Sequence, residues 1–175
     1  MNERITLKGI KHAAFASEET HCFQATVYFD NKKVGTVSNE GRGGCDYEYP
    51  TDRKGWAAMR DYIKSLPPVV SDNPDLADED GTPFSMRQSL ENICCDIVND
   101  WLVVKSFKRD FSTKLMFTKT PEDREVYQYS LKQRGYAKPV LVDHFTKLLA
   151  EKHPQAVILN NLNDSDLRSW IGEQA

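Results

Sequence analysis

The sequence predicts an α+β fold: an antiparallel sheet built from N-terminal β-hairpins, with a long helix packed on one face and further helices. Three observations lead there. Apolar and polar residues alternate with period two through much of the stretch from Ile5 to Phe29, as a sheet with one dry and one wet side requires. Between Ser85 and Phe111 apolar residues recur at three-to-four spacing, with no proline or glycine, the pattern of an amphipathic helix. Strand-like segments come in pairs with helical stretches between the pairs, which separates α+β from a doubly wound fold.

Taken in order, Ser17-Glu18-Glu19-Thr20 reads as the first turn. Pairing across it puts Ile10, His12, Ala14 and Ala16 on one face with His21, Phe23, Ala25, Val27 and Phe29, and Lys11, Gln24, Thr26 and Tyr28 on the other. Asp30-Asn31-Lys32-Lys33 turns the chain into Val34–Val37, and the glycine-rich stretch 39–44 ends the pairing. Thr51 is the expected N-cap of a helix reaching Leu66, with Trp56, Met59, Tyr62, Ile63 and Leu66 as its stripe and Pro67-Pro68 as its stop. Ser85 and Gln88 form a capping-box pattern that starts the long helix, with Ile97 among its core residues. Lys114–Leu131 reads as a third hairpin that buries Tyr127 and Tyr129. Pro139 opens a helix carrying Leu141, Phe145 and Leu149. Val157–Leu159 is a short strand, and Asn163 caps a last helix holding Leu167, Trp170 and Ile171.

A chain of 175 residues fits one domain with its own core, in which case about 70% of the unfolded surface is buried. Within it the sequence marks a hairpin-and-helix portion (1–66), an acidic connector (67–83) and a helical, α+β portion (84–175). The connector holds Asp72, Asp75, Asp78, Glu79 and Asp80 and no base, whereas bases exceed acids between 84 and 138. A net charge of −3 disfavours a protein that binds phosphates over its whole surface. No apolar run approaches the ~20 residues of a membrane span. The N-terminus lacks the basic start and apolar core of a signal peptide, so a cytoplasmic location is expected. Cys22, Cys45, Cys94 and Cys95 fall in no ligand or redox spacing and read as buried free thiols.

Chemistry-bearing patterns are sparse. His12, His21, Cys22 and Cys45 include the ligand types of a zinc site, but alternation puts Cys22 on the opposite face from both histidines; histidines at the core edge, without metal or cofactor, are the simpler reading. Asp78-Glu79-Asp80-Gly81 imitates the centre of a calcium loop, yet Leu76 and Arg87 occupy the positions of its first and last ligands. Gly41-Arg42-Gly43-Gly44 lacks the spacing and the following helix of a phosphate loop and reads as a flexible rim loop. Arg42, Tyr47 and Tyr49 are residue types that make contact hot spots; Asp78, Glu79 and Asp80 are a second contact candidate. Lys105, Lys108, Arg109 and Lys114, with Lys119 beyond, form a strip able to meet nucleic acid. No nucleophile, base and orienting partner are recognisable together, so an enzyme is not expected.

Residues 7–20, Leu-Lys-Gly-Ile-Lys-His-Ala-Ala-Phe-Ala-Ser-Glu-Glu-Thr, and 34–41, Val-Gly-Thr-Val-Ser-Asn-Glu-Gly, resemble an uncharacterised family of small proteins encoded on bacterial phages, plasmids and other mobile elements. The likeness covers about the first fifty residues and carries no catalytic motif. It implies a setting: accessory proteins of mobile elements often inhibit host defence, as anti-CRISPR proteins do. On that footing the expected partner is a host protein complex, an RNA-guided defence complex, met through Arg42, Tyr47 and Tyr49 and then Asp78, Glu79 and Asp80. The alternative is a nucleic-acid-binding accessory protein using the 105–119 strip.

Overall fold

The computed structural model describes residues 4–71, 73–78 and 80–172. The fold is α+β, and the chain divides into two units, 1–99 and 100–175. The division falls inside the long helix, so the acidic segment 67–83 belongs to the first unit.

In that unit β1 (Ile5–His12), β2 (Cys22–Phe29), β3 (Lys32–Glu40) and β4 (Tyr47–Pro50) form one antiparallel sheet in the order β1-β2-β3-β4. Ile5 pairs with Phe29, His12 with Phe23 and Ala25 with Val37. One face therefore carries Ile5, Phe23, Ala25, Val27, Phe29 and Val37, all buried; Lys8, Gln24, Thr26, Tyr28, Thr36 and Ser38 share the other. Asp30 and Asn31 form the two-residue turn with φ of 47° and 62°, the geometry that matches strand twist. Arg4 braces it, donating from Nε and Nη2 to the Asp30 carboxylate at 2.8 and 2.6 Å.

The first hairpin departs from strict alternation. Its register shifts between Lys8 and Lys11, where Gly9 sits at φ +64°, so Ile10 falls in a bulge. β1 stops at His12, and Ala14–Ala16 form a 3₁₀ turn instead of extending the strand. The Ala16 N–H bonds the Ala13 carbonyl at 3.0 Å.

Helix α1 (Arg53–Ser65) is capped by Asp52, whose carboxylate accepts the Lys54 N–H at 3.1 Å. Thr51 does not cap it, because the helix begins at Arg53 and the cap position falls one residue later, on Asp52. Trp56, Met59 and Ile63 are buried, and the Tyr62 ring packs 5.6 Å from Phe29. β5 (Val69–Val70) pairs with β6 (Ser85–Met86), which places Ser85 in a strand. The long helix α2 (Leu90–Phe111) therefore starts later than the capping-box pattern indicates, and Ser89 caps it by accepting the Asn92 N–H at 3.1 Å. Leu90, Ile93, Cys94 and Val98 are buried, whereas Ile97 is only half-buried. α1 and the first half of α2 share the dry side of the sheet. A cavity of about 60 Å³ separates Phe23, Asn39 and Asp46 from Glu91 and Cys95 of α2, and His21 Nε2 meets Asn99 Oδ1 at 2.6 Å.

In the second unit β7 (Lys114–Thr118) and β8 (Tyr127–Ser130) form the third hairpin. Helix α3 (Lys138–Lys152) follows with Pro139 in its first turn, then β9 (Val157–Ile158), which pairs with the free side of β7. Leu115, Phe117, Leu131, Leu141, Phe145 and Leu149 make this core. Tyr129 stacks between Phe117 and Phe145 at 5.2 and 4.5 Å. The Asn160 side chain links back to β7, accepting the Met116 N–H at 2.7 Å and donating to the Lys114 carbonyl at 2.9 Å. α4 (Asp164–Gly172) is capped by Asn163, whose Oδ1 accepts the Ser165 and Asp166 N–H groups. No helix among the described residues is long and apolar enough to cross a membrane.

Candidate functional site

The site starts from one buried polar residue. Asn39 sits on the dry face opposite Phe23 and is 6% exposed, a position where an amide must be hydrogen-bonded. All its capacity goes to the loops around it. Oδ1 accepts the Thr20 hydroxyl and the Gly41 N–H, each at 2.8 Å. Nδ2 donates to the Gly44 carbonyl at 2.8 Å and to Asp46 at 3.0 Å. Gly41 then turns at φ +85°, and its carbonyl accepts the N–H groups of Glu18 and Glu19 at 2.9 and 3.0 Å, with Thr20 more distant at 3.4 Å. The glycine-rich loop is thus hydrogen-bonded to the first hairpin's turn through Gly41, while Arg42, Gly43 and Gly44 stay exposed. A Cβ on Gly41 would stand 2.1 Å from the Ala16 carbonyl oxygen, so only glycine allows this approach.

Fastening the two loops opens a cleft of about 750 Å³ on the wet side of the sheet, lined among others by Phe15, Glu18, Glu40, Arg42, Tyr47 and Tyr49. Arg42, Tyr47 and Tyr49, singled out from sequence, come together here. Phe15, Glu18 and Glu40 escaped that reading. Phe15 is 94% exposed at the 3₁₀ turn; the signal was present, since a large apolar residue stands out of phase with Ala14 and Ala16. Tyr47 and Tyr49 lie opposite Ser38 and Thr36 across β3–β4 and are about half exposed.

The other candidates lie elsewhere. Asp78 and Asp80 are exposed in a turn closed by the Asp78 N–H to the Thr82 carbonyl at 2.9 Å. Asp80 accepts the Thr82 N–H, which holds its carboxyl below the ordinary range. Glu79 lies outside the described residues. The basic strip has internal partners. Lys108 pairs with Asp164, Lys114 with Asp110 at 3.1 Å, and Arg109 donates to Ser106. Lys105 and Lys119 lie over the rings of Trp101 and Tyr127, at 4.5 and 3.9 Å.

His12 and His21 approach edge to face with centroids 5.4 Å apart. Among the described residues no three His, Cys, Asp or Glu side chains gather as a metal site. Ser17 Oγ lies 3.2 Å from His12 Nε2, but its proton goes to the Ala13 carbonyl at 3.0 Å and it accepts the Cys22 N–H at 2.9 Å. That serine braces the turn. The cysteines are all free, but only Cys94 is buried, while Cys45 and Cys95 are exposed. Burial, aided by Asp46 and Glu48, pushes the Cys94 thiol up.

Fold and cleft together define the class: an α+β protein with a preformed, aromatic-lined surface cleft. Comparison of the chain with protein-family models, with curated proteins and with solved structures finds no match.

Proposed function

We propose that the chain is a non-enzymatic binding protein of the bacterial cytoplasm that blocks an RNA-guided defence complex by direct contact with one of its subunits. One observation carries the contact: Phe15, Arg42, Tyr47 and Tyr49 surround a single cleft whose loops are held in place by Asn39 and Gly41. Large exposed aromatic side chains gathered on one surface favour a protein partner, and a prefixed loop loses little entropy on binding. The resemblance of the first fifty residues to mobile-element proteins supports the choice of partner. Asp78 and Asp80, exposed in their own turn, serve as a second contact.

The nucleic-acid reading has weaker support, because the strip's lysines and Arg109 already meet internal groups. Affinity capture tests the proposal. Wild-type chain is expected to recover a defence-complex subunit from a lysate of cells carrying an RNA-guided system, and Arg42→Ala/Tyr47→Ala/Tyr49→Ala to lose it. Recovery of no defence subunit, or equal recovery by the variant, overturns the proposal.

A further inference from the structure

We infer that the cleft takes an arginine or lysine side chain of an extended protein segment added alongside β4; this rests on the docking reading above. The backbone supplies the first argument. β4 is the outer strand of its sheet, and among the described residues no backbone hydrogen bond reaches Tyr47–Pro50 from beyond β3. An outer strand presents alternate N–H and C=O groups to whatever lies beside it. A segment joining such an edge gains main-chain hydrogen bonds, and its alternate side chains select it. Pro50 has no N–H to offer, so the added segment registers against 47–49.

The side chains supply the second argument. Phe15, Tyr47 and Tyr49 bring aromatic rings to the cleft, and such rings attract cations over their faces. Glu18 and Glu40 stand at the same cleft, and among the described residues neither has an ion-pair partner. Arg42 is the one cation among the described residues lining it, so the lining is net negative. A guanidinium or ammonium entering from the segment gains both the rings and the carboxylates, whereas Arg42 is left to meet an acidic neighbour along the same segment. Nucleic acid would also stack on the rings, but its phosphates would face two carboxylates against one arginine. Charge therefore decides for a basic protein segment.

The test titrates the full chain with short threonine–valine peptides that carry one central arginine, citrulline or glutamate, and with oligothymidine, followed by NMR shifts of the cleft amides. The arginine peptide is expected to bind about tenfold more tightly than its neutral citrulline counterpart, in line with a partly desolvated cation–π and ion-pair contact. Glu18→Gln/Glu40→Gln should narrow that difference to the smaller part the rings supply, and the glutamate peptide should be the weakest. No peptide binding, equal binding of all three peptides, or preference for oligothymidine overturns the inference. The two proposals fail separately. If lysate capture depends on Tyr47 and Tyr49 but is unchanged by Glu18→Gln/Glu40→Gln, docking stands and the basic occupant falls. If capture ignores the tyrosines, docking itself falls.

Discussion

Asn39→Ala is the perturbation that separates a built cleft from an accidental one. The substitution removes an amide that is 6% exposed and strands four partners: the Thr20 hydroxyl, the Gly41 N–H, the Gly44 carbonyl and Asp46. A hydrogen bond contributes about 1 kcal/mol net, and a buried group left without a partner costs about 1–3 kcal/mol. Gly44 is exposed and regains water; Gly41 is buried and its N–H does not. The expected loss is about 3 kcal/mol, a large share of a stability on the order of 5–15 kcal/mol. For a chain of this size that lowers Tm by about 6–12 °C. Urea unfolding gives the global figure. Amide hydrogen exchange at Glu18, Glu19 and Thr20, which bond the Gly41 carbonyl, gives the local one, and their protection should fall at least as much. A stability loss under about 1 kcal/mol with those amides still protected would refute the claim that Asn39 holds the two loops together.

Three further outcomes follow from the same packing. In Gly35→Ala the new Cβ would stand 2.4 Å from the Trp56 ring and 2.6 Å from the Tyr49 carbonyl oxygen; overpacking of this kind costs about 1–3 kcal/mol, to be read as a lower urea midpoint with changed Trp fluorescence. Val98 is fully buried and Ile97 half-buried, so Val98→Asp should unfold the first unit, at a cost of several kcal/mol, and Ile97→Asp should leave it folded; circular dichroism of the pair decides. Burial, with Glu91 and Glu48 adding and the Asn39 hydrogen bond opposing, holds the Asp46 carboxyl above its ordinary 3.8. The folded chain thus keeps this proton more tightly than the unfolded chain. The resulting destabilisation is full at neutral pH and is relieved as pH falls through the folded value towards 3.8. Asp46→Asn should therefore be more stable than wild type at neutral pH and lose that advantage in acid; urea midpoints at both ends check it.

Periodicity carried the fold class, because burying one face of a sheet or helix leaves a repeat that local sequence displays. Trp56, Met59 and Ile63 follow from it, as do Leu141, Phe145 and Leu149, all buried as their spacing implies. What periodicity does not display is which neighbour ends an element. Ser85 followed by Gln88 has the form of a cap, yet Val70 lies across from Ser85 as a strand partner, and pairing with a distant residue overrides a local signal. Thr51 missed the cap by one residue, because the helix starts at Arg53 and Asp52 precedes it. The cleft was half legible. Arg42, Tyr47 and Tyr49 are contact-prone by type, whereas Glu18 and Glu40 became site residues only when the Gly41 carbonyl drew the two loops together, a contact between positions far apart in sequence.

That carbonyl also bears on the proposed docking surface. Single exposed apolar side chains are ordinary on any protein, and Phe15 alone would need no account. Here its turn is hydrogen-bonded to the loop that carries Arg42, through an oxygen accepting the Glu18 and Glu19 amides and a glycine that no other residue can replace without meeting the Ala16 oxygen. The fold commits a buried asparagine and a left-handed glycine to hold these side chains near one another. The proposed docking thus draws on hydrogen bonds that fix the turn of Phe15 and the loop of Arg42, beside Tyr47 and Tyr49, which pairing with β3 positions.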